Sequence, residues 1–311
     1  YLTSQKLRDE FGQATFFTAT DGNHGRGVAW AANRLGQKAV VHMPKGSTKP
    51  RFDNIAAEGA KVTIEKVNYD DCVRMAAAEA AETPRGVVVQ DTAWEGYEEI
   101  PAWIMQGYGT MASEAAEQLK EAGVDRPTHI FVQAGVGSLA GAVQGYFANL
   151  FPDCTPTTVI MEAQAADCLY KGAVACDGDL RIVDGDLRTI MAGLACGEPH
   201  TISWDILKNH SSFFVSCPDW VAAKGMRMLA APCRGDRQVV SGESGFGLDM
   251  ERSGLSKQGA GHVGTVVLLQ RNVGHVICHD FAIVGTVEMH VHIHYVFPFG
   301  RSEIIAGEHL V

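Results

Sequence analysis

The stretch Ala14-Thr15-Phe16-Phe17-Thr18-Ala19-Thr20-Asp21-Gly22-Asn23-His24-Gly25-Arg26-Gly27 decides the fold. Its first half is an apolar run that reads as a strand, and its second half is polar, rich in glycine and opens a helical periodicity over 22–35. A strand, a tight turn and a helix in that order aim several backbone N–H groups and the positive end of a helix dipole at one spot, which suits a carboxylate or a phosphate. The side chains of Asn23 and His24 add polar groups to the same turn. Asp21 is out of place in a pure anion cradle, and its simplest use is to cap the helix that begins beside it.

Outward from this turn the chain alternates strands with helices. Strands are expected over 38–43, 61–67 and 86–90, and helices over 48–58, 70–82 and 100–122. A second block begins at Thr128-His129-Ile130-Phe131-Val132-Gln133, which runs into Ala134-Gly135-Val136-Gly137-Ser138-Leu139-Ala140-Gly141 and a helix to residue 151. Strands over 157–162 and 213–216 and helices over 167–172, 203–209 and 219–229 follow. The alternation predicts an α/β protein with two open, mostly parallel sheets carrying helices on both faces, and a site in the cleft between them. The expected divisions are an N-terminal remnant over 1–17, a small α/β domain over 18–125, a large α/β domain over 126–245 and a divergent, His-rich tail over 246–311.

The composition sets limits on function. With 311 residues, 46% of them hydrophobic, the chain can bury a sizeable core, and its net charge of -10 disfavours nucleic acid and anionic membranes as partners. A small-molecule ligand and a cytoplasmic setting are expected, with no membrane-spanning segment and no signal peptide. The eight cysteines show no CxxC pairing, so no zinc site is expected, although Cys196 and Cys217 flank motif-like segments and could pair. In the tail His290, His292 and His294 alternate, but they lack a carboxylate or Cys partner at defined spacing, and no metal is assigned to them.

The loop over 135–141 suits a phosphate, because glycines let backbone amides approach an anion at a helix N-terminus. It departs from the dinucleotide fingerprint by reading GxGxxxG, and Glu162 is the one acidic residue placed to meet a ribose. Close helix-to-sheet packing would also account for its small residues.

Several further segments complete a pattern: Met43-Pro44-Lys45-Gly46, Asn68-Tyr69-Asp70-Asp71, Gln90-Asp91-Thr92-Ala93-Trp94-Glu95-Gly96-Tyr97, Ile100-Pro101-Ala102-Trp103-Ile104-Met105-Gln106-Gly107-Tyr108, Met191-Ala192-Gly193-Leu194-Ala195-Cys196-Gly197-Glu198-Pro199 and Ser241-Gly242-Glu243-Ser244-Gly245. With the two glycine turns they resemble the diaminopropionate ammonia-lyases, fold type II enzymes that use pyridoxal 5'-phosphate and are related to threonine dehydratase and the tryptophan synthase β-subunit. The resemblance runs from about residue 16 to residue 245. It implies that Thr20, Gly22, Asn23 and His24 receive the substrate carboxylate, with Asn23 also near the cofactor ring. It further implies that Gly135, Val136, Gly137, Ser138 and Leu139 hold the cofactor phosphate, that Glu243 lies on the cofactor side, and that Asp21 and Asp91 stand beside the substrate as catalytic residues. The implied reaction is β-elimination of 2,3-diaminopropionate to pyruvate and ammonia, in a homodimer. From the residues alone, Asp91 could equally cap the turn after its strand, His24 could be structural, and the Glu243-Ser244 turn could be a plain surface turn. Trp94 and Trp103 are expected to pack in the core.

Two departures accompany the resemblance. The Schiff-base lysine expected well upstream of the first turn is not in this chain, and Lys6, within Gln5-Lys6-Leu7-Arg8-Asp9-Glu10, reads as part of a solvated face. After residue 245 the final strand of the family is not recognisable. The chain as given is therefore expected to be inactive, a fragment or mistaken reading of a longer lyase. The alternatives are a threonine or serine dehydratase-like lyase and a non-catalytic relative that binds pyridoxal phosphate or another small anion.

Overall fold

The computed structural model describes residues 3–231 and 238–245, together with the backbone of four later strands, 265–268, 277–280, 292–296 and 302–305. The chain divides into two compact units, residues 1–101 with 185–187, and residues 102–184 with 188–311.

The first unit starts with helix α1 (Gln5–Phe11) and then alternates β1 (Thr15–Ala19), α2 (Asn23–Leu35), β2 (Lys38–Met43), α3 (Lys49–Ala56), β3 (Lys61–Ile64), α4 (Tyr69–Glu82) and β4 (Gly86–Val88). Its four strands lie in the order β3-β2-β1-β4, all parallel, with Thr15 of β1 opposite both Lys38 and Gly86. The near-continuous burial of β2 follows from cover on both faces. Ala39, Val41 and Met43 pack with Ala29, Ala32 and Ile55 on one side, and Val40 packs with Phe17, Ala76 and Ala80 on the other. Helix ends follow local chemistry: Gly36 closes α2 in the left-handed region at φ 68°, and the Asn68 side chain accepts the Asp71 N–H at 2.9 Å to open α4.

Helix α5 (Glu99–Glu121) leads into the second unit, which holds β5 (His129–Gln133), α6 (Ser138–Leu150), β6 (Thr157–Ala163), α7 (Cys168–Ala175), α8 (Thr201–His210), β7 (Phe213–Cys217) and α9 (Asp219–Ala230). Strands β8 (Thr265–Leu268), β9 (Ile277–Asp280), β10 (His292–Val296) and β11 (Ser302–Ile305) complete a sheet in the order β11-β10-β7-β6-β5-β8-β9. Its centre, β7-β6-β5-β8, is parallel, and the outer pairs β8–β9, β7–β10 and β10–β11 are antiparallel. Alternate residues of β5 and β6 face two cores: Ile130, Val132 and Ile160 pack with Phe147 and Trp204, while Phe131, Val159 and Met161 pack with Met191 and Val215. Each such fully buried large apolar side chain contributes about 1.5–3 kcal/mol.

The α/β class with helix-covered, mostly parallel sheets is as expected, and the reading of the two tryptophans changes. The loss of βα alternation after residue 245 does not end the sheet, because β8 pairs in parallel with β5, Val266 opposite His129. Trp103 is 56% exposed on α5 rather than in the core, and Trp94 is part-exposed and stacks on Tyr97 with ring centroids 4.3 Å apart. Cys196 and Cys217 are separate buried thiols. His290 lies outside the described residues, and only the backbone of His292 and His294 is described, within β10. Among the described residues no helix is long and apolar enough to cross a membrane.

Candidate active site

In the first unit the opening turn is organised by Thr20. Its backbone N–H donates to the His42 carbonyl at 3.0 Å, continuing the β1–β2 ladder, while its buried hydroxyl oxygen accepts the N–H groups of Gly22 at 2.9 Å and Gly25 at 3.0 Å. The N-cap position of α2 is Gly22, which makes no side-chain cap, so Asp21 does not occupy the capping position the sequence suggested for it. Glycine is required at 25, because a Cβ there would lie 2.3 Å from Thr20 Cγ2 and 2.9 Å from Val41 Cγ1. The tight turn thus rests on one hydroxyl and one missing side chain.

Asp21 pairs instead with Arg51 in the first turn of α3, whose Nη1 donates to Asp21 Oδ2. Asp91 lies on the loop after β4, and β4 is the parallel neighbour of β1, so the two carboxylates leave the same end of adjacent strands. His24 joins these loops: its Nε2 donates to the Val89 carbonyl at 2.9 Å, and its Nδ1 lies 3.9 Å from Asp91 Oδ2. A carbonyl can only accept, which fixes the proton on Nε2 and turns Nδ1 toward the carboxylate. Asp91 is itself buried and receives Tyr69 Oη at 3.3 Å and Gln90 Nε2 at 3.1 Å on Oδ1. Tyr97 closes the loop by accepting the Gln90 N–H at 2.8 Å and donating to the Val88 carbonyl at 3.0 Å. Burial pushes the Tyr97 hydroxyl up to about 12, outweighing its bond to the Gln90 backbone, and the charge of Asp91 adds to the rise.

The structure therefore joins Thr20 with Gly22 in one hydrogen-bonded turn, sets His24 against Asp91, and gives Asp21 a cationic partner; Asn23 is the exposed first residue of α2. Sequence reasoning gave no role to Arg51, Tyr69 or Gln90. Tyr69 and Gln90 stood inside quoted motifs, whereas Arg51 carried no local signal.

In the second unit β5 runs through Ala134 and Gly135 into the head of α6. Gly137 is the N-cap at φ 103°, a left-handed conformation that favours glycine, and no side chain caps the helix. The first N–H groups of α6 have no acceptor within the helix, and this uncapped glycine turn fits the phosphate of pyridoxal 5'-phosphate. A Cβ on Gly135 would stand 3.2 Å from Cys196 Sγ and 3.3 Å from the Gly193 carbonyl, so the segment over 191–199 packs against the turn. Glu243 belongs to a tight turn in which Gly245 N–H donates to the Gly242 carbonyl at 3.1 Å, and a Cβ on Gly193 would meet Ser244 Oγ at 3.3 Å.

Glu162, the one acidic residue placed for a ribose, is committed to the protein. It is fully buried at the end of β6 and accepts the N–H groups of Leu169 at 2.9 Å and Tyr170 at 2.6 Å at the head of α7. Burial pushes its carboxyl up to about 8 against the pull of those donors. Its capping role removes the nucleotide reading of the glycine loop. None of the described lysines is buried.

Two helix-covered, mostly parallel sheets, with an uncapped glycine turn heading a helix in the second unit, define a class: the chain belongs to the family of pyridoxal-phosphate dependent enzymes, whose model matches residues 1–269. Within that family the chain is 54% identical over 245 residues to the diaminopropionate ammonia-lyase of Salmonella typhimurium, covering 78% of this chain and 60% of that protein. It is 51% identical over 245 residues to the diaminopropionate ammonia-lyase of Escherichia coli K12, covering 78% of this chain and 61% of that one. The crystal structure of the E. coli diaminopropionate ammonia lyase in complex with D-serine superposes with a TM-score of 0.71 at 50% identity, over 76% of this chain and 59% of that chain. The chain thus spans about three-fifths of the length of these relatives.

Proposed function

We propose that this chain serves the β-elimination of 2,3-diaminopropionate to pyruvate and ammonia, with pyridoxal 5'-phosphate as cofactor. The observation that carries the reading is the pair of carboxylates, Asp21 and Asp91, on loops leaving the same end of adjacent parallel strands, each held by named partners. A diamino acid carries a second ammonium that a carboxylate can bind, whereas a hydroxy amino acid gives Asp21 little use. The identity to diaminopropionate ammonia-lyases supports the same substrate.

In this reading Thr20, Gly22, Asn23 and His24 receive the substrate carboxylate at the head of α2, where the helix dipole favours an anion. Asp21 and Asp91 stand beside the substrate, where a carboxylate binds the β-ammonium or accepts the Cα proton of the enantiomer that faces it. In the second unit Gly135, Val136, Gly137, Ser138 and Leu139 hold the cofactor phosphate, and Glu243 lies on the cofactor side. The cofactor, when bound, supplies an electron sink that makes the Cα proton removable.

The test is product release by the complete protein loaded with pyridoxal phosphate. It is expected to form pyruvate and ammonia faster from 2,3-diaminopropionate than from serine or threonine, and faster turnover of either hydroxy amino acid would overturn the assignment. The same reading includes a cytoplasmic homodimer, which equilibrium sedimentation checks for the assembly.

A further inference from the structure

We propose that Gln90 and Tyr69 are positioning residues for Asp91: they occupy its Oδ1, fix the rotation of the carboxylate and leave Oδ2 as the oxygen turned to His24. The inference rests on the reading of Asp91 as a group that faces substrate.

Its basis is a chain of donors whose directions are all determined. Gln90 is fully buried, and its Oε1 accepts the backbone N–H of Ala19 at 2.8 Å and the Thr18 hydroxyl at 2.9 Å. A backbone N–H can only donate, so the amide cannot be reversed and its NH2 group must point the other way. Nε2 there donates to Tyr69 Oη at 2.7 Å and to Asp91 Oδ1 at 3.1 Å. Having accepted from Gln90, the Tyr69 hydroxyl directs its own proton to Asp91 Oδ1 at 3.3 Å. The last rung of β1 thereby sets the orientation of a carboxylate on the neighbouring loop. Two donors thus meet on one oxygen while the other faces the imidazole. The titratable groups around Asp91 include His24 from α2, Tyr69 from α4 and Tyr97 from the loop after β4.

The test reads Asp91 itself, without turnover. In the full chain labelled with carbon-13 at aspartate carboxyls, the Asp91 resonance is assigned by its loss in D91N and titrated in wild type, Tyr69→Phe and Gln90→Glu. Tyr69→Phe deletes one donor and is expected to raise the midpoint. Gln90→Glu keeps an acceptor for Ala19 but sets a second carboxylate against Oδ1, so its rise is expected to be larger. Circular dichroism verifies folding, and if one variant does not fold the other decides. Wild-type midpoints in the folded variants overturn the proposal. A shifted midpoint supports it. If the shift appears while the acidic limb of ammonia release by the complete enzyme stays in place, positioning stands and the reacting role of Asp91 is the part that fails. If D91N abolishes release while neither variant moves the midpoint, the reverse holds.

Discussion

Arg51 donates through Nη1 to Oδ2 of Asp21, tying the turn before α2 to the first turn of α3 across 30 residues of sequence. In the proposed reading, the carboxylate offered to the substrate ammonium thus already has a cation. Replacing Arg51 by Met is expected to lower stability by about 1 kcal/mol, the scale of a partly exposed ion pair, with a smaller loss in high salt. Equal melting temperatures at low ionic strength would show that the pair carries no stability.

Asp21→Asn probes the substrate side of the same group. In the complete enzyme the change is expected to reduce kcat/KM for 2,3-diaminopropionate by about 10- to 100-fold, the worth of one charge-assisted hydrogen bond, and to affect serine far less. Equal losses for the two substrates would remove Asp21 from discrimination between them.

Thr20 and Gly25 are coupled by the space they share. Thr20→Val leaves the Gly22 and Gly25 N–H groups without their acceptor and is expected to cost about 2–3 kcal/mol, while Thr20→Ser keeps the oxygen and costs little. Gly25→Ala should be severe in the wild-type background and milder beside Thr20→Ser, which removes the Cγ2 atom that lies 2.3 Å from the new Cβ. Denaturant unfolding of the four proteins completes the cycle, and additive losses would contradict the coupling.

Gly137→Ala asks whether the second glycine turn holds an anion. Alanine at φ 103° costs about 1–2 kcal/mol and pulls the head of α6 out of shape, so affinity for pyridoxal phosphate is expected to fall roughly tenfold. Titration with pyridoxal phosphate, and separately with inorganic phosphate, measures it. Unchanged affinity in a folded variant would move the phosphate elsewhere.

Glu162 makes stability depend on pH. Its folded carboxyl is pushed up to about 8 from an ordinary 4.5 by burial, so the unfolded chain loses this proton first as pH rises. The contribution is full below 4.5 and is lost progressively as pH climbs through about 8. Glu162→Gln removes the titration, and its melting temperature is expected to fall less steeply over that window, from a lower starting value because an amide group now opposes one N–H donor. Parallel profiles for the two proteins would show that Glu162 does not titrate there.

The elements were legible in sequence where burial is regular. The strand expected over 38–43 is β2 to the residue, because both its faces are covered. Ends were lost where a distant partner takes a backbone group. The strand expected to reach 67 stops at Ile64, and the Val67 carbonyl accepts the Lys45 N–H at 2.9 Å instead. The strand expected to reach 90 stops at Val88, since the Gln90 N–H goes to Tyr97 Oη. The two glycine turns were readable because strand-turn-helix order advertises them. The partners of Asp21 and Asp91 were not, since Arg51 and Tyr69 reach them from helices 30 and 22 residues away in the chain. Trp103 misled because composition does not say which side of α5 is wet.

The pairing of Val266 with His129 bears on the order in which the chain acquires structure during synthesis. All four strands of the first sheet come from residues 15–88, so its ladder can close while the ribosome is still making the second unit. The central strand β5 must instead wait for β8, emerging with one edge unpaired while more than a hundred further residues are added. Non-local pairing of this kind is slow and leaves a strand edge open to other chains. The vulnerable interval for aggregation therefore falls between the synthesis of β5 and that of β8, in the second unit.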